Sequence, residues 1–359
     1  MPRKKTIMLL VTYQCNLRCS YCYEHKSGDH LMTVNQAKQY ISEEILNLDN
    51  SFDSFEIHFM GGEPLLMYPL MKEVSEWLWD TTFSKNLHHV FAPTNGTLLS
   101  QDMKEWFLRN KDRVCLGLSF DGNFMMQNKN RSNSFSGVDL NFFADTWPDQ
   151  SVKMTVSPET LPMLTEGIVF LHEKGFKYLT VDLAIGKFVH WTDEHLGIYK
   201  EELKKLSEYY IENNDMPVCS LLSLDLSRVC STQTDSQKFC GCGEDLVCIS
   251  PEGQRYACHM FAPISAGETK AKQSQEIDFS DSQIFMDSSC SGCILHPLCI
   301  TCAGINYIQT GNVAIRDFFS CQAFKIQFLA NCAFRLKQSS LNNDLITYNQ
   351  IEQIINNIT

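Results

Sequence analysis

Over the first 220 residues the apolar positions switch repeatedly between a strand-like run and a helical period. Thr6-Ile-Met-Leu-Leu-Val-Thr12 reads as a buried strand. Thr33 and Gln36 then fit a helix capping box, and Val34, Ala37, Ile41, Ile45 and Leu48 recur behind it at helical spacing. Residues 55–60 read as a strand ending in Gly61-Gly62, 67–83 as a helix, and 89–94 as a strand ending at Asn95-Gly96. A helix over 100–110 and a strand over 114–120, ending at Asp121-Gly122, follow. Next come a strand over 152–156, a helix over 159–174 and a sixth strand over 178–185. Leu196, Tyr199, Leu203, Leu206 and Tyr210 mark a last helix.

Six strand–helix pairs in series predict parallel strands, either as a doubly wound sheet or as an incomplete (β/α) barrel. In both, chemistry gathers at the carboxyl ends of the strands. The loop holding Cys15, Cys19 and Cys22 lies there, as do Gly61-Gly62-Glu63-Pro64, Asn95-Gly96, and Ser119 with Asp121. Ser119 and Asp121 are two apart and so share a strand face. Thr155 and Ser157 do the same at the fifth strand end. Any one of these polar residues alone also fits simple turn chemistry. The chain shows no repeat of 20–50 residues and no low-complexity segment.

Composition changes this picture in one respect. At 359 residues, 44% hydrophobic and 20% charged, the chain has the make-up of a globular protein with a sizeable core. Its net charge of −12 argues against non-specific nucleic-acid binding. The apolar run from Ile7 to Val11 is too short for a signal peptide, and no run approaches about 18 apolar residues, so a cytoplasmic location without a membrane span is expected. The 16 cysteines are the anomaly. Without a secretory signal, metal binding or redox chemistry explains them better than disulfides do. Three lie in the first 22 residues, Cys115 follows alone, and all the others come after residue 218. That break sets the expected division: 1–220 as the β/α domain, 221–335 as a cysteine-rich domain, and 336–359 as a helical tail.

The first three cysteines, in TYQCNLRCSYCYE, have three residues and then two between them. Three thiolates hold three irons of a [4Fe–4S] cube and leave the fourth iron open to bind a small molecule. Three chance thiols are the bland alternative. Further on, Cys290-x2-Cys293-x5-Cys299-x2-Cys302, with Cys321 beyond, has metal-ligand spacing that zinc would also satisfy. Cys240, Cys242, Cys248 and Cys258 stand upstream of it, with Cys230 before them. Cys115, Cys219 and Cys332 lack partner spacing and read as core cysteines.

Cys15-x3-Cys19-x2-Cys22, Tyr21 before the last cysteine and the GGEP stretch at 61–64 together resemble the radical S-adenosylmethionine (SAM) enzymes. The resemblance implies a partial (β/α)6 TIM barrel. It also implies that the methionyl amine and carboxylate of SAM chelate the open iron, that Gly61, Gly62, Glu63 and Pro64 face the methionyl ammonium, and that Tyr21 lines the adenine pocket. Asn95, Ser119, Asp121 and Arg131 stand at further cofactor-binding positions. Ser119 and Arg131 are assigned to the ribose or carboxylate, although Arg131 also fits a surface ion pair and Asp121 a loop cap.

The later cysteines resemble the C-terminal SPASM iron–sulfur extension of that family. Carried over, Cys290, Cys293, Cys299 and Cys321 would hold an outer auxiliary [4Fe–4S] cluster. Cys258, Cys302 and Cys240 or Cys242 would hold an inner one. Two departures stand out. Cys302 is one residue closer to Cys299 than the family pattern has it, and there are more upstream cysteines than needed. Cys248 falls where a buried strand residue is expected.

The resemblance implies reductive cleavage of SAM to a 5′-deoxyadenosyl radical and cross-linking of side chains in a ribosomally made precursor peptide, through a thioether or carbon–carbon bond. An external one-electron reductant of flavodoxin or ferredoxin type is the expected partner. Since the barrel begins at residue 6, no leader-binding domain is expected before it, and the leader is expected to be recognised either by the barrel itself or by a separate leader-binding protein. Two other readings stand beside this one. An anaerobic sulfatase-maturing enzyme would make formylglycine, but it resembles Y-P-C-D where this chain has Tyr256-Ala-Cys258-His259. A non-catalytic iron–sulfur carrier would need neither an open iron nor a cofactor groove.

Overall fold

The computed structural model describes residues 3–28, 30–47, 52–186, 188–230, 240–299, 301–342 and 344–356. The helical position expected at Leu48 lies outside them. In chain order the first elements are β1 (Lys4–Thr12), α1 (Val34–Leu46), β2 (Ser54–Gly61), α2 (Tyr68–Asp80), β3 (Leu87–Thr94), α3 (Gln101–Arg109) and β4 (Val114–Leu118). Then come α4 (Phe124–Asn130), α5 (Leu140–Thr146), β5 (Val152–Val156), α6 (Leu164–Glu173), β6 (Leu179–Leu183) and α7 (Asp193–Glu212). The remainder is β7 (Leu246–Ile249), β8 (Arg255–Tyr256), α8 (Pro263–Ala266), α9 (Glu268–Gln273), α10 (Ala303–Thr310), α11 (Phe318–Leu341) and α12 (Leu345–Asn356).

The chain divides into two compact units. The first comprises residues 1–119, 131–150 and 240–281. Its sheet has the order β4-β3-β2-β1-β7-β8. β1 pairs in parallel with β2 on one side and with β7 on the other. It is therefore a central strand, which explains its near-continuous run of buried Ile7, Leu9, Leu10 and Val11. On β2, Phe55, Ile57 and Phe59 are fully buried. Each such side chain contributes about 1.5–3 kcal/mol. Glu56, His58 and Met60 point to the other face and are half-buried. α1 begins as expected: the Thr33 backbone N–H donates to Gln36 Oε1 at 2.9 Å and the Gln36 N–H to Thr33 Oγ1 at 3.3 Å. β7 and β8 form an antiparallel hairpin. Gly253 in its turn has φ +84°, and an added Cβ would lie 2.8 Å from the Tyr40 hydroxyl.

The second unit comprises residues 120–130, 151–239 and 282–359. In it β5 and β6 pair in parallel, and α11 packs against both α7 and α12. A core of Leu226, Leu295, Leu298, Phe328, Cys332 and Ile351 joins the cysteine-bearing loops to α11.

Several expected boundaries move. β4 ends at Leu118, so the strand alternation that would pair Ser119 with Asp121 does not reach Asp121. α6 starts only at Leu164, preceded by a 3-10 turn over 161–163 with Pro162 in its opening positions. The break in cysteine usage near residue 220 is not where compactness divides the chain: 240–281 belong with the first strands. The 335–336 boundary falls inside α11. The three-part division is kept as a proposal about functional modules.

Candidate active site

The cysteine loop leaves the carboxyl end of β1 and is braced by the loop after β2. The Gly62 N–H donates to the Thr12 carbonyl at 3.1 Å, and the Glu63 N–H to the Gln14 carbonyl at 2.8 Å. Contact is so close that a Cβ on Gly61 would lie 2.4 Å from the Thr12 oxygen. One on Gly62 would lie 2.3 Å from the Gln14 oxygen and 3.0 Å from Cys15 Cβ. Both positions therefore require glycine for space. Pro64 is buried and opens the short turn 64–67.

Cys15, Cys19 and Cys22 are half-buried and line one cavity of about 590 Å³ with Gln14, Arg18, Glu24 and Lys26. That volume is in the range of small-molecule sites. Burial pushes the Cys15 and Cys22 thiols up, while the Lys26 ammonium pulls them down. Burial would lower Lys26, but the three cysteines and Glu24 hold it up. Lys26 Nζ also donates to the Leu17 carbonyl at 2.7 Å, which fixes it against the loop. Glu24 is pushed up to about 8, mainly by burial. Three convergent thiols, a fixed ammonium and an adjoining cavity fit a three-thiolate cluster with room beside it for a ligand. Reading the cysteine spacing alone missed Glu24 and Lys26. Their signal was a carboxylate two residues, and an ammonium four residues, beyond the last of the three cysteines.

Glu63 is buried at 2% exposure and is held by the chain itself. Its Oε1 accepts from the Leu65 N–H at 3.0 Å and the Thr94 hydroxyl at 2.8 Å, and its Oε2 from the Asn95 N–H at 2.8 Å. Burial raises its carboxyl; these donors and the Arg131 charge oppose the rise. Asn95 extends the network. Its Nδ2 donates to Asn16 Oδ1 at 3.0 Å, and its Oδ1 accepts from the Thr97 N–H and hydroxyl. Asn16 Nδ2 closes the ring on Thr97 Oγ1 at 2.8 Å. The loops after β1, β2 and β3 are thus one hydrogen-bonded assembly.

Arg131 is buried, and its guanidinium carbon lies 5.6 Å from the centre of the Tyr21 ring. It is not a surface ion pair. Ser132 and Asn133 behind it both have φ of 54°, an uncommon conformation for non-glycine residues. Ser132 Oγ accepts from the Arg18 N–H at 2.8 Å, tying this strained turn to the cysteine loop. Ser119 is half-buried, and its N–H donates to the Thr94 carbonyl at 2.8 Å.

Asp121, expected at the cofactor, is engaged within the fold. Its carboxylate is fully buried, accepting from the Thr155 N–H at 2.9 Å and Asn130 Nδ2 at 3.2 Å. It anchors α4 to β5. Ser157 has the same structural use, with its hydroxyl donating to Asn130 Oδ1 at 2.9 Å.

The later cysteines form two sets. In the first unit the Cys242 thiol is pushed far up by its neighbours Cys240 and Cys258 and by burial. Cys248 is fully buried on β7, where it pairs with Tyr256, and it faces the Cys258 charge. The expected strand position is correct, but Cys248 stands beside this set of thiols and is a fourth candidate ligand. In the second unit Cys299, Cys290 and Cys321 lie within electrostatic reach of one another. Burial pushes Cys299 up to about 11, against the pull of Arg316, whose Nη1 donates to its sulfur. Cys293 packs against the Leu295–Phe328 core, and Cys302 precedes α10. The Cys230 side chain lies outside the described residues. Cys115, Cys219 and Cys332 are buried core cysteines. Among the described residues, no three His, Cys, Asp or Glu side chains converge on one metal ion. A four-iron cube is larger than an ion and takes its thiolates further apart.

Residues 9–132 match the Radical SAM superfamily. The chain is 25% identical over 273 residues to the antilisterial bacteriocin subtilosin biosynthesis protein AlbA of Bacillus subtilis, covering 73% of this chain and 56% of that protein. It is 27% identical over 221 residues to a cysteine-type anaerobic sulfatase-maturating enzyme of Clostridium perfringens, covering 57% of each. The matched stretches thus span little more than half of these two relatives. Among solved structures, native anSMEcpe with bound AdoMet and Cp18Cys peptide superposes with a TM-score of 0.71 at 20% identity, covering 99% of this chain and 100% of the other. Streptococcus suis SuiB bound to the precursor peptide SuiA gives 0.60 at 14%, covering 90% and 76%. At such identities the likeness is one of fold.

Proposed function

We propose that this chain, whose residues 9–132 match the Radical SAM superfamily, is a radical SAM enzyme of the SPASM type that uses a [4Fe–4S] cluster and SAM, and that it cross-links side chains of a ribosomally made precursor peptide. When bound, the cluster and SAM supply a 5′-deoxyadenosyl radical by reductive cleavage, and that radical takes a hydrogen atom from an unactivated carbon. The residues of the chain hold and orient. Cys15, Cys19 and Cys22 would hold the cluster. Gly61 and Gly62 bring backbone against the site, and Glu63 fixes the loops around it. Tyr21 and Arg131 offer a flat face and a charge to the nucleoside end. Each cross-link removes two hydrogens from the peptide: one leaves as an atom to 5′-deoxyadenosine, the other as a proton with its electron passed to an acceptor. The auxiliary cysteine sites would hold the groups that take up this electron, and a flavodoxin- or ferredoxin-type partner would supply the reducing one.

The observation that carries this reading is His259. It occupies the position after Cys258, and burial, with the His58 charge, lowers it to about 4. An imidazole that stays neutral there lacks the negative charge of the aspartate that the sulfatase-maturing pattern carries at this position. Sulfatase maturation stands as the second reading, with equal support from the similarity to the sulfatase-maturating enzyme. The test is anaerobic turnover with candidate precursor peptides, drawn from any short reading frames neighbouring the gene, and with a sulfatase peptide, followed by mass spectrometry and hydrazine trapping. Cross-linking gives a peptide lighter by two hydrogens that hydrazine leaves alone. A hydrazine adduct on the sulfatase peptide would instead establish an aldehyde and the second reading.

A further inference from the structure

Arg316 sits in the connection between α10 and α11, just before the Asp317 cap of α11. Its guanidinium carbon is 5.9 Å from the centre of the Phe324 ring on the first turns of that helix. From there Nη1 donates to Cys299 Sγ, and Cys290 and Cys321 are the other thiols acting on Cys299. A planar cation held on an aromatic face and directed at one sulfur of a three-cysteine group is more than a surface charge.

We propose that Arg316 is the positioning residue and counter-charge of the Cys290–Cys299–Cys321 site, and that it sets the reduction potential of the cluster held there. The proposal rests on reading these cysteines as the outer iron–sulfur site. A cluster carried by thiolates is negatively charged, and one-electron reduction makes it more so. A fixed cation and an N–H···S hydrogen bond both favour the reduced form. The guanidinium fork also selects one rotamer of Cys299, which a lysine would do less well.

The experiment is a dithionite-mediated redox titration of the anaerobically reconstituted full chain, followed by electron paramagnetic resonance, with iron counted on the same samples. Arg316→Met keeps the stem and removes the charge; Arg316→Lys keeps the charge. With iron content unchanged, Arg316→Met should lower the reduced-to-oxidised ratio of one auxiliary signal about tenfold at the parent's midpoint, a shift of about 59 mV for one electron. Arg316→Lys should recover most of it. An unchanged midpoint in Arg316→Met overturns the proposal, as does loss of iron from both variants, which would make Arg316 a loop-packing residue. If only Arg316→Met loses iron, a parental midpoint in Arg316→Lys supports the charge role and a midpoint lowered as far as the tenfold expectation overturns it. A parent that assembles only the N-terminal cluster overturns the outer-site reading and this proposal with it.

Discussion

Glu63 Oε2 accepts the backbone N–H of Asn95 at 2.8 Å, so a buried carboxylate after β2 fixes the turn after β3. Glu63→Ala leaves three donors facing an empty buried position, each costing about 1–3 kcal/mol. We expect a strongly destabilised protein, seen as a lower thermal midpoint. Glu63→Gln keeps an acceptor at Oε1 and should be milder in stability, while SAM affinity of the reconstituted protein falls at least tenfold. Unchanged SAM affinity in Glu63→Gln would limit Glu63 to a structural part.

Gly62→Ala places a methyl 2.3 Å from the Gln14 carbonyl. Because that carbonyl belongs to the cysteine loop, the substitution should displace the loop and lower iron incorporation. Iron counting after anaerobic reconstitution checks this. Full iron content would mean the two loops can separate without cost.

Glu56 predicts a pH dependence. Burial alone would raise its carboxyl, yet His58, Lys4 and Thr6 bring it down to about 2 from 4.5. A carboxyl depressed in the folded state contributes stability that is fully present above its unfolded value and lost as pH falls toward the folded one. The contribution, on the order of 2–3 kcal/mol, should disappear between about pH 4.5 and 2. Denaturant unfolding across that window should show a flatter acid limb in Glu56→Gln than in the parent. Parallel curves would remove Glu56 from the account.

Cys248 separates two readings of the inner set. If it is a ligand beside Cys240, Cys242 and Cys258, Cys248→Ala should lower bound iron by about four per chain. Cys219→Ala and Cys332→Ala, in the core, should retain it while losing some stability. Equal iron in all three variants would return Cys248 to the core.

The legible part of this chain was the local part. The buried run 6–12, the Thr33–Gln36 capping box and the GGEP turn each carry their meaning within a few residues. α4 and α5 escaped notice because seven residues hold too few turns to show a period. The pairing of β7 with β1 joins segments some 240 residues apart, and nothing in either strand announces its partner. Asp121 looked like a cofactor contact because a buried carboxylate at a strand end serves binding and anchoring alike. The bonds it accepts from Thr155 and Asn130 show the anchoring use.

The most direct test is 5′-deoxyadenosine formation by the reduced, reconstituted protein, measured against Cys15→Ala/Cys19→Ala/Cys22→Ala. The parent should form 5′-deoxyadenosine and methionine in equal amounts, and the triple variant none above background. 5′-Deoxyadenosine at parental rate from the triple variant would contradict the assignment of these three thiols as the site where the radical begins.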